Sequence, residues 1–360
     1  MTPTAQQIRF CTSRDGTRIA YAVAGDGPPL VRALQWGTHL ELDWQTAVWR
    51  PWLSAMSDGH TLIRYDSRGS GLSDRDVEDF SSERHFEDLE AVVKACGLQR
   101  FAMIAITGGV ASALMYTTRF PERVSCLVIY GSFLRGRIAR DVTPAQREET
   151  EMLLRMIELG WGRDEPSFRQ LFSSQLMPDA TADQYRSLRE LLRESASAAN
   201  AARLLRSFHA DDVSALAPQV QCPTLVLHPR DDQRVPFEQG RALAAAIPNA
   251  RFVPLDSSNH ILLEQEPAWR TFVAELRSFL LGTATTRTIA SPVGKISGLT
   301  AREGQVLELV AQGIDNRRIG VRLYISEKTV RNNVSNVMAK LGVHTSLKRS
   351  SLRGRSKSAA

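Results

Sequence analysis

The chain has 360 residues, more than one hydrophobic core usually organises, so two domains are expected. Its hydrophobic content of 43% and charged content of 23% are those of a globular protein and exclude a disordered one. The net charge of +6 is uneven: residues 282–360 hold fourteen lysines and arginines against four acidic residues, and the remainder holds 31 against 35. The last part of the chain is therefore expected to contact a polyanion.

The four cysteines do not form a recognisable metal or disulfide pattern. They are scattered in or beside apolar runs, at Cys11, Cys96, Cys126 and Cys222, and their spacing predicts a reducing compartment. The first residues are polar and lack an apolar signal region. No apolar run reaches the roughly 20 residues that span a bilayer. We therefore expect a cytoplasmic protein without a membrane contact, a metal or a cofactor.

Strands alternate with helices over most of the chain. The predicted strands cover 8–12, 18–23, 30–34, 61–65, 101–105, 126–130, 224–228 and 251–255. Helices are predicted over 83–96, 109–119 and 267–280. This alternation indicates a largely parallel sheet with helices on both faces.

Two segments interrupt that alternation. Residues 143–207 are purely helical in pattern, which predicts a cap over the carboxyl edge of the sheet. Residues 282–297 are small, polar and non-periodic, which predicts a linker. The predicted domains therefore cover residues 1–281 and 298–360.

Three reactive side chains follow predicted strands in a characteristic order. Thr107 stands in the sharp turn 105–109 between a strand and a helix, Asp232 follows the strand 224–228, and His260 follows the strand 251–255. This order of nucleophile, acid and histidine resembles the α/β-hydrolase family over residues 10–280. The resemblance implies an α/β-hydrolase-like sheet with a helical cap, in which these three residues occupy the catalytic triad positions.

The turn departs from the family pattern Gly-x-Ser-x-Gly at two places. Ala105 replaces the first glycine and Thr107 replaces the serine. The turn requires a positive φ, where a β-branched residue with a restricted χ1 is least favoured. We therefore expect the triad to be degenerate and Thr107 to be non-catalytic or nearly so. The alternative is a slow ester or lactone hydrolase with Thr107 as its nucleophile.

The loop after the third strand also departs from the family. It carries Gln35 and Trp36 where the family usually has His-Gly. Because ligands bind at the carboxyl edge of α/β sheets, Trp36 is expected to form a pocket wall, with a core position as the alternative. The predicted ligand is a small, mostly apolar organic molecule that contacts Gln35, Trp36, Thr107, Gly108 and His260.

Residues 298–343 carry three short helical patterns. The first helix is predicted over 302–312, the second over 316–323, and a third after a Ser326 cap. In the third helix, Val330, Val334, Val337 and Leu341 are spaced by 4, 3 and 4 residues and form one apolar stripe. The pattern resembles the LuxR-type helix-turn-helix family, which implies a double-stranded DNA operator as the partner.

The polar side chains of this region divide into two predicted roles. Those expected to face the major groove are Lys328, Thr329, Arg331, Asn332 and Ser335. Those expected to contact phosphates are Arg317, Arg318, Arg322 and Lys340. The tail after 345 lacks the apolar stripe with which the family dimerises, so a homodimer is expected through the large domain. RNA polymerase stays open as a further partner.

These patterns together predict a ligand-responsive transcriptional regulator. Its degenerate α/β-hydrolase domain binds a small molecule under the cap, and this changes how the helix-turn-helix domain engages DNA. Two alternatives stay open. One is an active hydrolase fused to a DNA-binding domain, and the other is a ligand-blind regulator whose large domain only dimerises.

Overall fold

The computed structural model describes residues 6–140, 143–161, 175–290 and 325–340, together with positions 300, 303, 306, 310, 316 and 319. The chain divides into two compact units, residues 1–283 and residues 284–360. Within the described residues, no helix is long and apolar enough to cross a bilayer.

The first unit is built on one sheet. Its strands are β1 (Gln7–Thr12), β2 (Arg18–Ala24), β3 (Pro29–Arg32), β4 (Thr61–Tyr65), β5 (Phe101–Ile106), β6 (Val124–Tyr130), β7 (Thr224–Pro229) and β8 (Arg251–Leu255). Their order is β1-β2-β4-β3-β5-β6-β7-β8. β2 is antiparallel to β1 and β4, and the other pairs are parallel. The predicted, largely parallel sheet is therefore confirmed.

Helices cover both faces of the sheet. They are α1 (Trp49–Ser57), α2 (Ser82–Ala95), α3 (Val110–Arg119), α4 (Pro144–Gly160), α5 (Ala182–Ser195), α6 (Ala198–Ala210), α7 (Phe237–Ala246) and α8 (Pro267–Ala290). In β5, Met103 and Ala105 pack with α2, α3 and α7, whereas Ile104 and Ile106 pack with α1 and α8. Because both faces of β5 are covered, the strand is an uninterrupted apolar run.

The sequence did not predict α1 and α7. In α1, Pro51 looks like a helix breaker, but it is the third helical residue and lies in the first turn, where a missing amide hydrogen costs nothing. Trp52 of this helix is fully buried, and its indole donates a hydrogen bond to the Leu262 carbonyl oxygen at 3.0 Å.

The described part of the predicted cap is formed by α4, α5 and α6. Thr143 and Thr181 begin α4 and α5 with capping boxes, in which each hydroxyl accepts a backbone N–H from a glutamine three residues later. Ser197 begins α6 in the same way, by accepting the Asn200 N–H. These side chains bond the N–H groups that each first turn leaves without a helical partner.

Helix α8 is longer than predicted and extends beyond residue 283, where the first unit ends. α8 runs to Ala290, so residues 282–290 of the predicted linker are helical. The Thr283 hydroxyl donates to the Phe279 and Leu280 carbonyl oxygens, both at 3.0 Å. A threonine can therefore continue the helix, although the small polar composition of this segment is typical of a linker. Residues 291–297 lie outside the described residues.

The second unit packs around three fully buried residues, Val306, Ile319 and Val330. Its described helix is α9 (Glu327–Lys340). Val334 packs against this core and Val337 is buried, so the predicted stripe is confirmed up to Val337; Leu341 lies outside the described residues. The Thr329 N–H donates to Ser326 Oγ at 3.1 Å, which confirms the predicted cap.

Candidate functional site

Thr107 stands at the end of β5 in a strained backbone conformation. Its φ is 50°, in the left-handed region that a β-branched residue rarely adopts. Ser132 donates a hydrogen bond to the Thr107 carbonyl oxygen at 2.6 Å. A Cβ atom at Gly109 would lie 2.2 Å from the Leu34 carbonyl oxygen, so only glycine lets the loop after β3 approach the turn.

Thr107, His260 and Asp232 form one hydrogen-bonded chain. Oγ1 of Thr107 lies 2.7 Å from Nε2 of His260, and Nδ1 of His260 lies 2.7 Å from Oδ2 of Asp232. The other carboxylate oxygen accepts the backbone N–H groups of Arg234 and Val235 at 2.8 and 3.0 Å. Because the carboxylate accepts from Nδ1, Nε2 is left to accept the threonine hydroxyl. The three residues therefore have the connectivity of a catalytic triad.

The environment of Asp232 keeps its carboxylate charged. Burial by itself would raise the pKa of Asp232, but the electrostatic interaction with His260 and the hydrogen bond from its ring lower the pKa below its ordinary value. A charged carboxylate holds the imidazole in the tautomer that accepts the Thr107 proton.

A second buried histidine lies behind this carboxylate. Nε2 of His228 lies 3.6 Å from Oδ2 of Asp232 and donates to the Val235 carbonyl oxygen at 2.9 Å. A Cβ atom at Gly240 would lie 2.2 Å from the His228 ring, so the glycine makes room for the imidazole. Burial lowers the pKa of His228, which favours the neutral ring. Sequence reasoning missed this residue, although it ends a buried strand four positions before Asp232.

Beside Thr107, a cavity opens between the sheet and the cap. Four of the predicted ligand contacts line it together: Gln35, Trp36, Thr107 and His260. Its volume is about 50 Å³, which holds roughly three to five water molecules at 10–15 Å³ each.

The cap side of the cavity is apolar and closely packed. Leu188, Leu192 and Leu205 line it. Gly108, also predicted to contact a ligand, does not line the cavity: a Cβ atom there would lie 2.1 Å from the Phe208 ring. The cap helix α6 therefore rests directly on the backbone beside Thr107.

Trp36 joins the sheet to the cap. Its indole N–H donates to the Ala201 carbonyl oxygen of α6 at 3.0 Å, and its ring centroid lies 5.0 Å from that of Trp161. The residue is half-buried and lines the cavity. A contact between Trp36 and a ligand stays a prediction.

In the second unit, one face of α9 is exposed. The exposed residues that were predicted to face the major groove are Lys328, Thr329, Arg331, Asn332 and Ser335. They lie opposite the buried Val330 and Val337. The predicted phosphate contacts Arg317, Arg318 and Arg322 lie outside the described residues.

Lys340 has an intramolecular partner that the sequence did not predict. Its Nζ lies 2.6 Å from Oε2 of Glu303, and the same oxygen accepts the Thr300 N–H at 2.7 Å. The bond from Lys340 lowers the pKa of Glu303 to about 2. Lys340 thus ties the end of α9 to Glu303, and its predicted phosphate contact stays a prediction. Among the described residues, no cluster of histidine, cysteine and acidic side chains is arranged to hold a metal ion.

Comparisons with known proteins agree with both parts of this geometry. The family described as "alpha/beta hydrolase fold" matches residues 39–267, and "Bacterial regulatory proteins, luxR family" matches residues 297–348. Pyrrolizixenacetamide deacetylase of Xenorhabdus hominickii is 25% identical over 268 residues, which covers 73% of this chain and 95% of that protein.

Solved structures share the fold of the first unit. An esterase (EaEST) from Exiguobacterium antarcticum matches with a TM-score of 0.66 and 21% identity, over 76% of this chain and 99% of that one. The enol-lactonase from Burkholderia xenovorans LB400 matches with a TM-score of 0.60 and 21% identity, over 76% and 100%. The chain therefore belongs to the α/β-hydrolase-fold family and carries a C-terminal DNA-binding domain of the luxR family of bacterial regulatory proteins.

Proposed function

We propose that this chain is a transcriptional regulator whose DNA binding responds to a small organic molecule held beside Thr107. The observation that carries the proposal is the cavity in which Gln35, Trp36, Thr107 and His260 meet under the cap. The cavity offers hydroxyl, imidazole and amide groups on one side and leucine side chains on the other. Such a combination orients a ligand by a few hydrogen bonds and holds it by apolar burial.

The tight packing of the cap supplies a physical link between ligand and response. A Cβ atom at Gly37 would lie 2.3 Å from the Leu192 side chain, and one at Gly108 would lie 2.1 Å from the Phe208 ring. The cap and the loops beneath it are therefore in direct contact. A ligand larger than the cavity therefore has to displace α5 or α6. A tenfold change in DNA affinity requires about 1.4 kcal/mol of differential binding between the two cap positions.

The remaining parts of the proposal concern organisation. The ligand domain covers residues 1–281, and a linker over 282–297, helical in its first part, leads to the DNA-binding domain over 298–360. A homodimer through the large domain would match the two half-sites of an operator. Because operator DNA lies in the cytoplasm, we propose that the protein acts there, and RNA polymerase is a further partner in that setting.

The proposal is tested by measuring DNA binding with and without ligands. An operator is first selected with the full chain from a pool of random double-stranded DNA. Its affinity is then measured with a panel of esters, lactones and amides, and the same panel is screened for an increase in Tm. We expect at least one compound class to raise Tm and to change operator affinity about tenfold. A chain whose Tm and operator affinity respond to no compound is a ligand-blind regulator.

A second candidate function is hydrolysis, and the triad geometry specifically favours it. The two hydrogen bonds of 2.7 Å align Thr107, His260 and Asp232 as a working triad would be aligned. The similar proteins carry the names deacetylase, esterase and enol-lactonase, which all describe acyl-bond cleavage. Under this candidate, the wild type hydrolyses an ester or lactone and Thr107→Ala abolishes turnover. Turnover that survives Thr107→Ala would exclude it.

A further inference from the structure

A second cavity lies next to the first and is lined by arginines. Its volume is about 30 Å³, and it shares Thr107, Leu205, Phe208 and Arg234 with the first cavity. The other cationic side chains that line it are Arg137 and Arg140. Three arginines therefore line a small space together with Thr107 of the triad.

The backbone holds this arginine segment in place. The N–H groups of Gly136 and Ile138 donate to the carbonyl oxygens of Asp211 and His209, both at 2.7 Å. A Cβ atom at Gly136 would lie 2.4 Å from the Phe208 carbonyl oxygen, so the glycine permits this close approach to the end of α6. The arginines on either side of Ile138 are thereby fixed beside the cap helix.

Within the part of the chain that the structure describes, the three arginines have few neutralising partners. Arg137 lies 3.4 Å from Glu149, whose side chain is 64% exposed. Arg234 donates to the neutral Gln175 side chain at 3.0 Å. Nε of Arg140 is buried and has no hydrogen-bond partner among the described residues. The Asp232 carboxylate is already engaged by His260 and two backbone N–H groups. Among the described residues, the cavity therefore has more positive than negative charge beside it.

The titration behaviour of these groups agrees with that surplus. Burial, and then the charge of Arg137, lower the pKa of Arg234 to about 10 and also lower the pKa of Arg140. Burial and the neighbouring arginines lower the pKa of His209 to about 2. Each shift arises first from burial and then from the neighbouring positive charges, and a bound anion would oppose it.

We propose that this second cavity binds the carboxylate of an organic acid whose remaining part lies beside Thr107 and His260. The proposal rests on the proposed ligand-binding function and names the chemical class of that ligand. A space of about 30 Å³ replaces roughly two to three waters, which suits the two oxygens of a carboxylate. The planar fork of a guanidinium group matches a carboxylate in a bidentate manner. The ligand is then acidic at one end, in contrast to the mostly apolar molecule expected from the sequence.

The test uses matched pairs of compounds with the full chain. Each pair is the monoanilide of succinate, glutarate or adipate and the methyl ester of the same compound, and binding is measured by calorimetry. We expect the wild type to bind at least one acid roughly 10- to 100-fold more tightly than its methyl ester, as charge-assisted hydrogen bonds would produce. In Arg137→Gln/Arg140→Gln this preference is expected to disappear, with the affinity for the ester unchanged within about twofold.

Two further variants separate charge from folding. Arg155→Gln removes an arginine of the cap that is 67% exposed and lines neither cavity, and it is expected to keep the full preference. Arg140→Lys keeps the positive charge but lacks the planar guanidinium group. This variant is expected to keep part of the preference for the acid over its methyl ester. Because the double variant removes mutual repulsion, its Tm without ligand is not expected to fall.

The outcomes distinguish this inference from the function on which it rests. If acids and methyl esters bind equally to the wild type, the carboxylate site is refuted and the ligand-binding function stands. If inorganic phosphate raises Tm as much as the acids do, the assignment to a carboxylate is wrong. If no compound of any pair binds, the carboxylate site is refuted, and these anilides are also not ligands of the first cavity.

Discussion

The hydroxyl of Thr107 lies 2.7 Å from Nε2 of His260 although the residue is β-branched and has a φ of 50°. The extra methyl group therefore has not prevented the hydrogen bond on which a triad depends. What a threonine changes is the freedom of the hydroxyl to turn from the histidine toward a bound carbonyl, because its χ1 is restricted. Thr107 thus keeps the hydrogen bond of a triad while its hydroxyl is less free to move toward a substrate.

Replacing Thr107 by serine removes the methyl group and keeps the hydroxyl. We expect Thr107→Ser to hydrolyse aryl esters or lactones roughly 100-fold faster than the wild type, because a misplaced reactive group costs about that factor. Initial rates for both proteins give the ratio. Thr107→Ser/His260→Ala is the control and should return to the background rate. A serine variant no faster than the wild type would show that the methyl group is not what limits hydrolysis.

Gly108 should not tolerate a side chain under the cap. Since a Cβ atom there would lie 2.1 Å from the Phe208 ring, Gly108→Ala is expected to lower the free energy of unfolding by about 1–3 kcal/mol. Urea unfolding measures the change. Gly108→Ala/Phe208→Leu should recover part of the loss, since leucine has no ring at that point. Equal stability of Gly108→Ala and the wild type would contradict this packing of the cap.

Asp211 at the end of α6 should make stability depend on pH. Burial raises its pKa from 3.8 to about 7, although a hydrogen bond from Ser82 opposes the rise. Between these values the folded chain holds a proton that the unfolded chain has lost, so the free energy of unfolding falls as pH rises. Asp211→Asn stays neutral at both pH values. Its free energy of unfolding is expected to exceed that of the wild type by on the order of 2 kcal/mol at pH 8 and to equal it near pH 4.

The neighbouring Asp212 provides a matched control for that experiment. Its side chain is 43% exposed and its pKa is lowered, mainly by the hydrogen bond from Ser214. A carboxyl group with a lowered pKa stabilises the folded chain at pH values above its ordinary pKa. Asp212→Asn should therefore lose a little stability at pH 8 rather than gain it. Urea unfolding of the wild type, Asp211→Asn and Asp212→Asn at pH 4 and pH 8 gives the sign of the stability change for each variant. The same sign for both variants would argue against a protonated Asp211.

Arg331 and Lys340 should affect DNA binding in different ways. Arg331 is exposed on α9, so Arg331→Ala is expected to weaken operator binding by about 1–3 kcal/mol and to relax sequence preference. Lys340 holds Glu303, so Lys340→Ala should weaken operator and random DNA alike and speed amide exchange in α9. Fluorescence anisotropy on both DNAs and hydrogen exchange measure these effects. Equal losses on both DNAs for Arg331→Ala would show that it contacts phosphate.

The sequence predicted those features that depend on local pattern. All eight predicted strands are present, with ends that differ by at most two residues. The central strands are recognisable because they are continuous buried apolar runs, as in β5. The order Thr107, Asp232, His260 was readable because each residue lies in the loop that follows a strand, and parallel strands bring such loops to one edge. Pro51 concealed α1, since a proline in the first turn and one in a loop are alike in sequence.

Contacts between distant segments could not be predicted. Arg137 and Arg140 line a cavity with Thr107 because backbone hydrogen bonds join the segment after β6 to the end of α6, which no spacing rule encodes. The available signal was a pair of arginines in a loop at the carboxyl edge of the sheet. His228 lies only four residues before Asp232, but a histidine in a buried strand carries no sequence signal that shows which group its ring approaches.

The ion pair between Lys340 and Glu303 also bears on how strongly salt affects DNA binding. Each cation that neutralises a phosphate releases condensed counterions, and the slope of log affinity against log salt counts such cations. A lysine already held by a carboxylate at 2.6 Å releases none unless that pair breaks. The slope of log affinity against log salt should therefore correspond to roughly one cation fewer than the number of lysines and arginines of this domain that lie near DNA.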